Sequence, residues 1–225
     1  MATLGQRTKL HPSDTARLIL DHARRAFNER GVNVVGVRDL ARELGLSPGN
    51  LSYHFPTKEA LIVALVEDGH ATNNEVSAPP GPLDFVKLDQ LIRDIMQRDI
   101  DNQWFTRDAA ALILSLPTLR AQHGRMQRAR EARCKGIIAR LVEANLVDAE
   151  KVDRTVLGLQ LLTQIFFWVP MALMTDPEGD LADRLDLHAR AALALFLPYT
   201  TPTGRRQLAP LVRAASAPAT RRRST

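Results

Sequence analysis

A chain of 225 residues, 45% hydrophobic and 24% charged, has the length for one compact domain or two small ones and an ordinary globular composition, which excludes collagen-like, coiled-coil and wholly disordered chains. A single cysteine, Cys134, excludes an intramolecular disulfide, no Cys/His cluster has the spacing of a structural zinc, and Met1 to Gln6 lack the apolar run of a signal peptide, so a cytoplasmic protein without metal or cofactor is expected. The net charge of +5 is uneven: residues 1–58 hold nine Lys/Arg against five Asp/Glu, residues 59–204 fifteen against twenty, and residues 205–225 six Arg and no acid. A basic segment on an acidic body suits a polyanion met at one end, although charge alone is equally the signature of a solvated face.

Apolar residues recur at three- and four-residue spacing nearly throughout, which predicts an all-α protein without strands. The first helix is expected over 13–30, with Ser13 as N-cap, a stripe of Ala16, Leu20, Ala23 and Phe27, and Gly31 as its stop. Residues 1–12 would then be a flexible arm. Gly36 as N-cap and Val37, Leu40, Ala41 and Leu44 give a short second helix, and Gly45 supplies a tight turn. Ser47 as N-cap, Pro48 at the first helical position, and Leu51 and Phe55 one turn apart give a third. Two short helices joined by a Gly-containing turn form a helix-turn-helix, with Leu40, Ala41, Leu44, Leu51 and Phe55 as its core. Pro56 stops the third helix, and Thr57 caps a fourth whose apolar side is Ala60, Leu61, Ala64, Leu65 and Val66.

The run Gly45-Leu46-Ser47-Pro48-Gly49-Asn50-Leu51-Ser52-Tyr53-His54-Phe55-Pro56-Thr57-Lys58-Glu59-Ala60-Leu61, set behind a helix and a glycine, resembles the DNA-binding head of the TetR family of bacterial transcriptional regulators. The resemblance implies that residues 13–76 form an N-terminal three-helix helix-turn-helix DNA-binding domain whose third helix enters the major groove. Gly49 and Asn50 match positions that approach bases. Tyr53, His54 and Lys58 match phosphate contacts, and Ser47 caps while offering its hydroxyl to a phosphate. Two positions depart from the family pattern: Pro48 stands where a polar residue or Lys is common, and Ser52 where Tyr is common and a longer reach is available.

Ala78-Pro79-Pro80-Gly81-Pro82 is a break. Beyond it, helices are expected near 83–100, 103–116, 118–145, 149–174 and 181–197, forming a ligand-binding and dimerisation body over 83–197, with 198–225 a disordered basic tail. Residues 155–175 carry no charge; they are long enough to cross a bilayer, but Gln160, Gln164, three threonines and Pro170 favour a helix buried on all sides between core and subunit interface. By resemblance, helices 149–174 and 181–197 build a four-helix bundle across a two-fold axis, the latter through Leu185, Ala189, Ala192, Leu193 and Phe196. A ligand pocket is expected near Trp104, Phe105, Met126, Phe167, Trp168 and Met171, with Arg120 and His123 as polar groups, each of these being equally at home in an ordinary core. Cys134 would be a redox sensor only if exposed.

Six scattered histidines, and the lack of HExxH, Walker, GxSxG or paired-carboxylate patterns, argue against an enzyme. The expected function is a homodimeric, ligand-responsive repressor that binds double-stranded DNA at a pseudo-palindromic operator and leaves it when a small molecule binds. The alternatives are a helical small-molecule-binding module without DNA function, or a membrane-associated regulator.

Overall fold

The computed structural model describes residues 12–74, 78 and 80–213. The expected flexible arm, apart from Pro12, and residues 214–225 of the expected tail lie outside them. Among the described residues the protein is helical, with an isolated bridge between Val147 and Thr200 as its only β pairing. It divides into two compact units, Met1–Ala71 and Thr72–Thr225.

In the first unit α1 spans Pro12–Arg30, α2 Val37–Glu43 and α3 Pro48–His54, and most of α4, Lys58–Asn74, follows. Helix α1 begins at Pro12, so Ser13 lies in its first turn rather than capping it; proline's fixed φ suits a first helical position. Its buried face is Thr15, Ile19, Ala23, Ala26 and Phe27, whereas Ala16 and Leu20 are half-buried, a small rotation from the predicted stripe. In the same unit Val32, Val35, Leu40, Ala41, Leu51, Phe55, Leu61, Ile62, Leu65 and Val66 are buried as well. Leu44 is only half-buried. The turns follow the local chemistry: Gly31 at φ 87° and Gly45 at φ 64° occupy the left-handed region that side chains disfavour.

The second unit contains α5 Phe85–Asp101, α6 Gln103–Ser115, α7 Pro117–Glu143, α8 Arg154–Thr175, α9 Leu181–Ala194, a 3-10 turn Leu197–Tyr199, and α10 Pro202–Val212. Its main core joins Phe85, Leu88, Ile92 and Met96 of α5 to Ile138 and Leu141 of α7, Leu161 and Trp168 of α8, and Leu193 and Phe196. Helix α8 starts five residues later than predicted because Asp153, not the 148–150 region, caps it, accepting from the Thr155 and Val156 amides at 2.8 and 3.1 Å.

The expectation of disorder from residue 198 is corrected by α10. Thr201 caps that helix, its hydroxyl accepting from the Gly204 amide at 3.0 Å and donating to the Asn145 carbonyl at 2.7 Å. The Thr201 amide donates to Leu146 O at 3.1 Å, and the Asp148 amide to Tyr199 O at 2.8 Å. Gly204 sits so close to the Leu146 carbonyl that a Cβ would stand 1.9 Å from its oxygen. Leu208, fully buried, completes the anchoring. A Pro- and Arg-rich segment with little intrinsic helicity is thus held by tertiary contacts.

Candidate nucleic-acid interface

The outward face of α3 follows from how its inward face is fixed. Leu51 is fully buried and Phe55 nearly so, while Ser47 terminates the helix by accepting the Asn50 amide at 3.1 Å. With Leu51 directed inward, Gly49, Asn50, Ser52 and Tyr53 are exposed, and so is Ser47. Tyr53 is 78% exposed, and its ring lies 5.1 Å from that of His54, edge to face. Neither the Asn50 amide group nor the Tyr53 hydroxyl has a partner among the described residues. A Cβ at Gly49 would meet nothing within 4 Å, and its φ is not positive. Neither packing nor backbone geometry requires glycine there, and the bare backbone is open to another molecule.

Lys58, half-buried, opens α4, where Thr57 accepts the Ala60 amide at 3.1 Å. Glu59 shares this terminus: its carboxyl is held below the usual range by its own backbone amide first and the Thr57 hydroxyl second. The terminus is therefore partly neutralised, which leaves the Lys58 ammonium as its cation.

The basic residues of this unit divide into two sets. Arg17 and Arg24 pair with Asp68, Arg30 with Glu43 at 2.7 Å, and Arg42 with Asp39 at 2.6 Å; His22 also lies 2.8 Å from Glu43. Glu43 is drawn down to about 2, by its hydrogen bond from Arg30 first and from His22 second. Arg25, Arg38 and Lys58, by contrast, have no ion pair among the described residues. Arg38, exposed in the first turn of α2, was not among the sequence-selected residues; the signal was its place at the start of the first helix of a helix-turn-helix, the element that crosses the DNA backbone.

The sequence-selected ligand residues of the body are not gathered into one site. Trp104 and Trp168 are 1% exposed, and Phe105 is buried. Phe167 and Met171 are 49% and 54% exposed on the opposite side of α8, so they line no interior pocket. Arg120 is exposed and donates to the Leu114 carbonyl. Met126 is half-buried; His123 is half-buried too, its ring 5.5 Å from that of Phe166 and its Nδ1 buried without a partner. Within one subunit helix α8 is buried along one side, with Val156, Leu159, Phe167, Met171 and Met174 exposed on the other, the side for which a subunit interface was expected. It is the one helix among the described residues long and apolar enough, by length and composition, to cross a membrane. Cys134 is buried, and burial pushes its thiol up to about 11, so it lacks the thiolate a redox sensor needs.

Sequence reading missed Asp99. It accepts a hydrogen bond from Trp168 Nε1 at 2.9 Å, and burial pushes its carboxyl up to about 7 against the opposing effects of that bond and of Arg130. Arg130 is half-buried, and burial lowers its pKa. The signal was periodicity: Asp99 continues the stripe Phe85, Leu88, Ile92, Met96, and Arg130 the stripe Leu119, His123, Met126.

Comparison with known proteins matches residues 19–65 to the family described as bacterial regulatory proteins, tetR family, and residues 71–208 to the one described as bacterial transcriptional repressor. The chain belongs to the TetR family of bacterial transcriptional regulators. It is 33% identical over 72 residues to the HTH-type transcriptional regulator TtgR of Pseudomonas putida, a match covering 32% of this chain and only about a third, 34%, of that relative. A TetR-family regulator from Marinobacter aquaeolei shares its fold at TM-score 0.80 and 24% identity, over 88% of this chain and 97% of the other. A gamma-butyrolactone receptor described as ArpA-like shares it at TM-score 0.61 and 17% identity, over 90% and 95%. These TetR-family relatives are regulators, not enzymes, and the match to the repressor family model runs into α10.

Proposed function

We propose that this protein is a homodimeric, cytoplasmic transcriptional repressor that binds a pseudo-palindromic operator through its head, residues 13–76, and is released when a small molecule binds its body, residues 83–212. The observation that carries the reading is the outward face of α3, where Gly49, Asn50, Ser52 and Tyr53 are exposed around a helix anchored by Leu51 and Phe55. Asn50 offers a side-chain amide able to donate to and accept from a base edge, and the open backbone at Gly49 permits close approach. Ser47, Tyr53, His54 and Lys58 are assigned to phosphates, and Arg38 joins them on the strength of its exposure and unpaired charge.

The dimer reading rests on α8 and α9. Val156, Leu159, Phe167, Met171 and Met174 recur at three- and four-residue spacing or multiples of it on one exposed face of α8, and Leu187 is exposed on α9. A contiguous apolar face on a soluble unit calls for a cover, and a second copy supplies an identical one. Two heads about one DNA turn (~34 Å) apart then combine weak half-site contacts into a useful affinity. Release needs a ligand that favours a body conformation in which the heads stand at the wrong separation.

The test is binding of the full chain to the duplex upstream of its own gene, followed by fluorescence anisotropy. Asn50→Ala is expected to weaken specific binding by about 1–3 kcal/mol and to relax discrimination at one base pair. A purified chain that ignores duplex at low salt overturns the reading.

A further inference from the structure

The inward stripe of α7 changes character halfway along its length. Its C-terminal half, Cys134, Ile137, Ile138 and Leu141, belongs to the main apolar core. In its N-terminal half the same stripe carries Arg130 and His123, separated by Met126. Opposite stand Asp99 of α5, bonded to Trp168, and Phe166 of α8, whose ring meets His123. Apolar packing thus gives way, at one end of the body, to a polar cluster in an aromatic setting.

This cluster is short of acceptors. Arg130 brings five N–H donors and, among the described residues, makes neither a hydrogen bond nor an ion pair within 4 Å, although it lies in electrostatic reach of Asp99. Asp99 commits one oxygen to Trp168, and with its carboxyl held near 7 it is only partly ionised in neutral solution, so it compensates the guanidinium incompletely. His123, kept neutral by burial first and by Arg130 second, adds an unmet Nδ1 that is a donor in the tautomer protonated there. A half-buried guanidinium without an ion pair is incompletely compensated yet reachable from solvent, and a carboxylate is the group whose two oxygens match its fork. A cationic ligand would stand against Arg130, and a second anionic group against Asp99.

We propose that Arg130 receives the carboxylate of a small apolar or aromatic monocarboxylic acid, with Asp99 and His123 flanking that contact and Phe166, Trp168 and Met126 enclosing the hydrocarbon. This rests on the ligand-responsive reading above and gives the effector a chemical class. The bidentate contact supplies affinity that a neutral isostere lacks.

The full-length protein is titrated with benzoate and octanoate, and with benzamide and octanamide as neutral isosteres, reading tryptophan fluorescence and the melting temperature. At least one acid is expected to bind saturably and about tenfold or more tighter than its amide. Arg130→Met removes a half-buried charge that has no ion pair, so it should melt close to the parent while losing the preference for acid over amide; Arg130→Lys, a point charge without the fork, should retain part of it. Acids that bind no better than amides, no response to either acid, or an Arg130→Met variant that keeps the preference each overturn the proposal. Operator binding is measured on the same samples: intact duplex binding with indifferent acids removes this inference and leaves the regulator, whereas a parent that never binds duplex removes the regulator whatever the acids do.

Discussion

The head and the body differ in where most of their unmet groups lie. In the head the buried residues are apolar apart from Thr15, and although Arg24 Nε is buried without a partner, the side chains of Asn50 and Tyr53 and the cations of Arg25, Arg38 and Lys58, which also lack intramolecular partners among the described residues, face outward or lie at the rim. In the body the poorly satisfied polar groups are a buried His123 Nδ1 and a half-buried Arg130 beside Asp99, and a row of apolar side chains on α8 lies outside. The head is a finished folded object with a polar surface to offer a polyanion. The body is incomplete in two ways, and each defect corresponds to one proposed partner: an apolar face to a second copy, a half-buried charge without an ion pair to a ligand.

The largest effect should come from uncovering that division at the body's surface. Phe167→Glu combined with Met171→Glu puts charge into the proposed dimer face without touching the core; the protein should sediment as a monomer and bind operator about 100-fold more weakly, since avidity is lost. A variant that remains dimeric would move the interface elsewhere. Next come two glycines. Gly204→Ala forces a Cβ against the Leu146 carbonyl, so α10 should undock, exposing Leu208, at a cost of about 2–3 kcal/mol in denaturant unfolding. Gly49→Ala meets nothing and removes a helical glycine, so it should leave stability unchanged or up to about 1 kcal/mol higher while weakening operator binding. If Gly49→Ala binds DNA like the parent, backbone approach at α3 is wrong. Lys58→Ala should act more gently, lowering affinity for every duplex and flattening the plot of log affinity against log salt by about one per subunit. An unchanged salt slope would remove Lys58 from the phosphate contacts.

The two units also differed in how far they could be read from sequence. Gly31, Gly45, Ser47, Pro48 and Thr57 act on backbone within four residues of themselves, and the turns and starts they announce in the head are present. Helix α10 was illegible because its stability comes from Leu146 and Asn145, more than fifty residues away. Trp168 and Phe167 are adjacent and both aromatic, and only tertiary packing makes one core and the other surface. Asp99 looked like one of several acids along α5; its position on the apolar stripe was visible, but its burial depends on α7 and α8 closing over it.

The smallest expected effects are pH slopes, and here the two units should have opposite signs. Glu43 in the head is drawn down to about 2 from an ordinary 4.5, so the folded state holds fewer protons than the unfolded one in that interval; its contribution is present above about 4.5 and lost as pH falls towards 2. Asp99 in the body is raised to about 7 from 3.8, so between those values the folded state holds more protons, and stability declines as pH rises through 7. The groups around Asp99 do not reverse this: Arg130 keeps its charge, and His123 on α7 and His188 on α9, stacked 5.5 Å from Trp168, are both lowered by burial. Comparing the parent with Glu43→Gln by urea unfolding should give a difference that vanishes near pH 2. Comparison with Asp99→Asn should give a difference that changes steadily from pH 4 to 7 and levels off above it. If the Asp99→Asn difference is flat across that interval, the carboxylate titrates as an exposed one would, and the contrast between an outward-facing head and an inward-charged body loses its interior half.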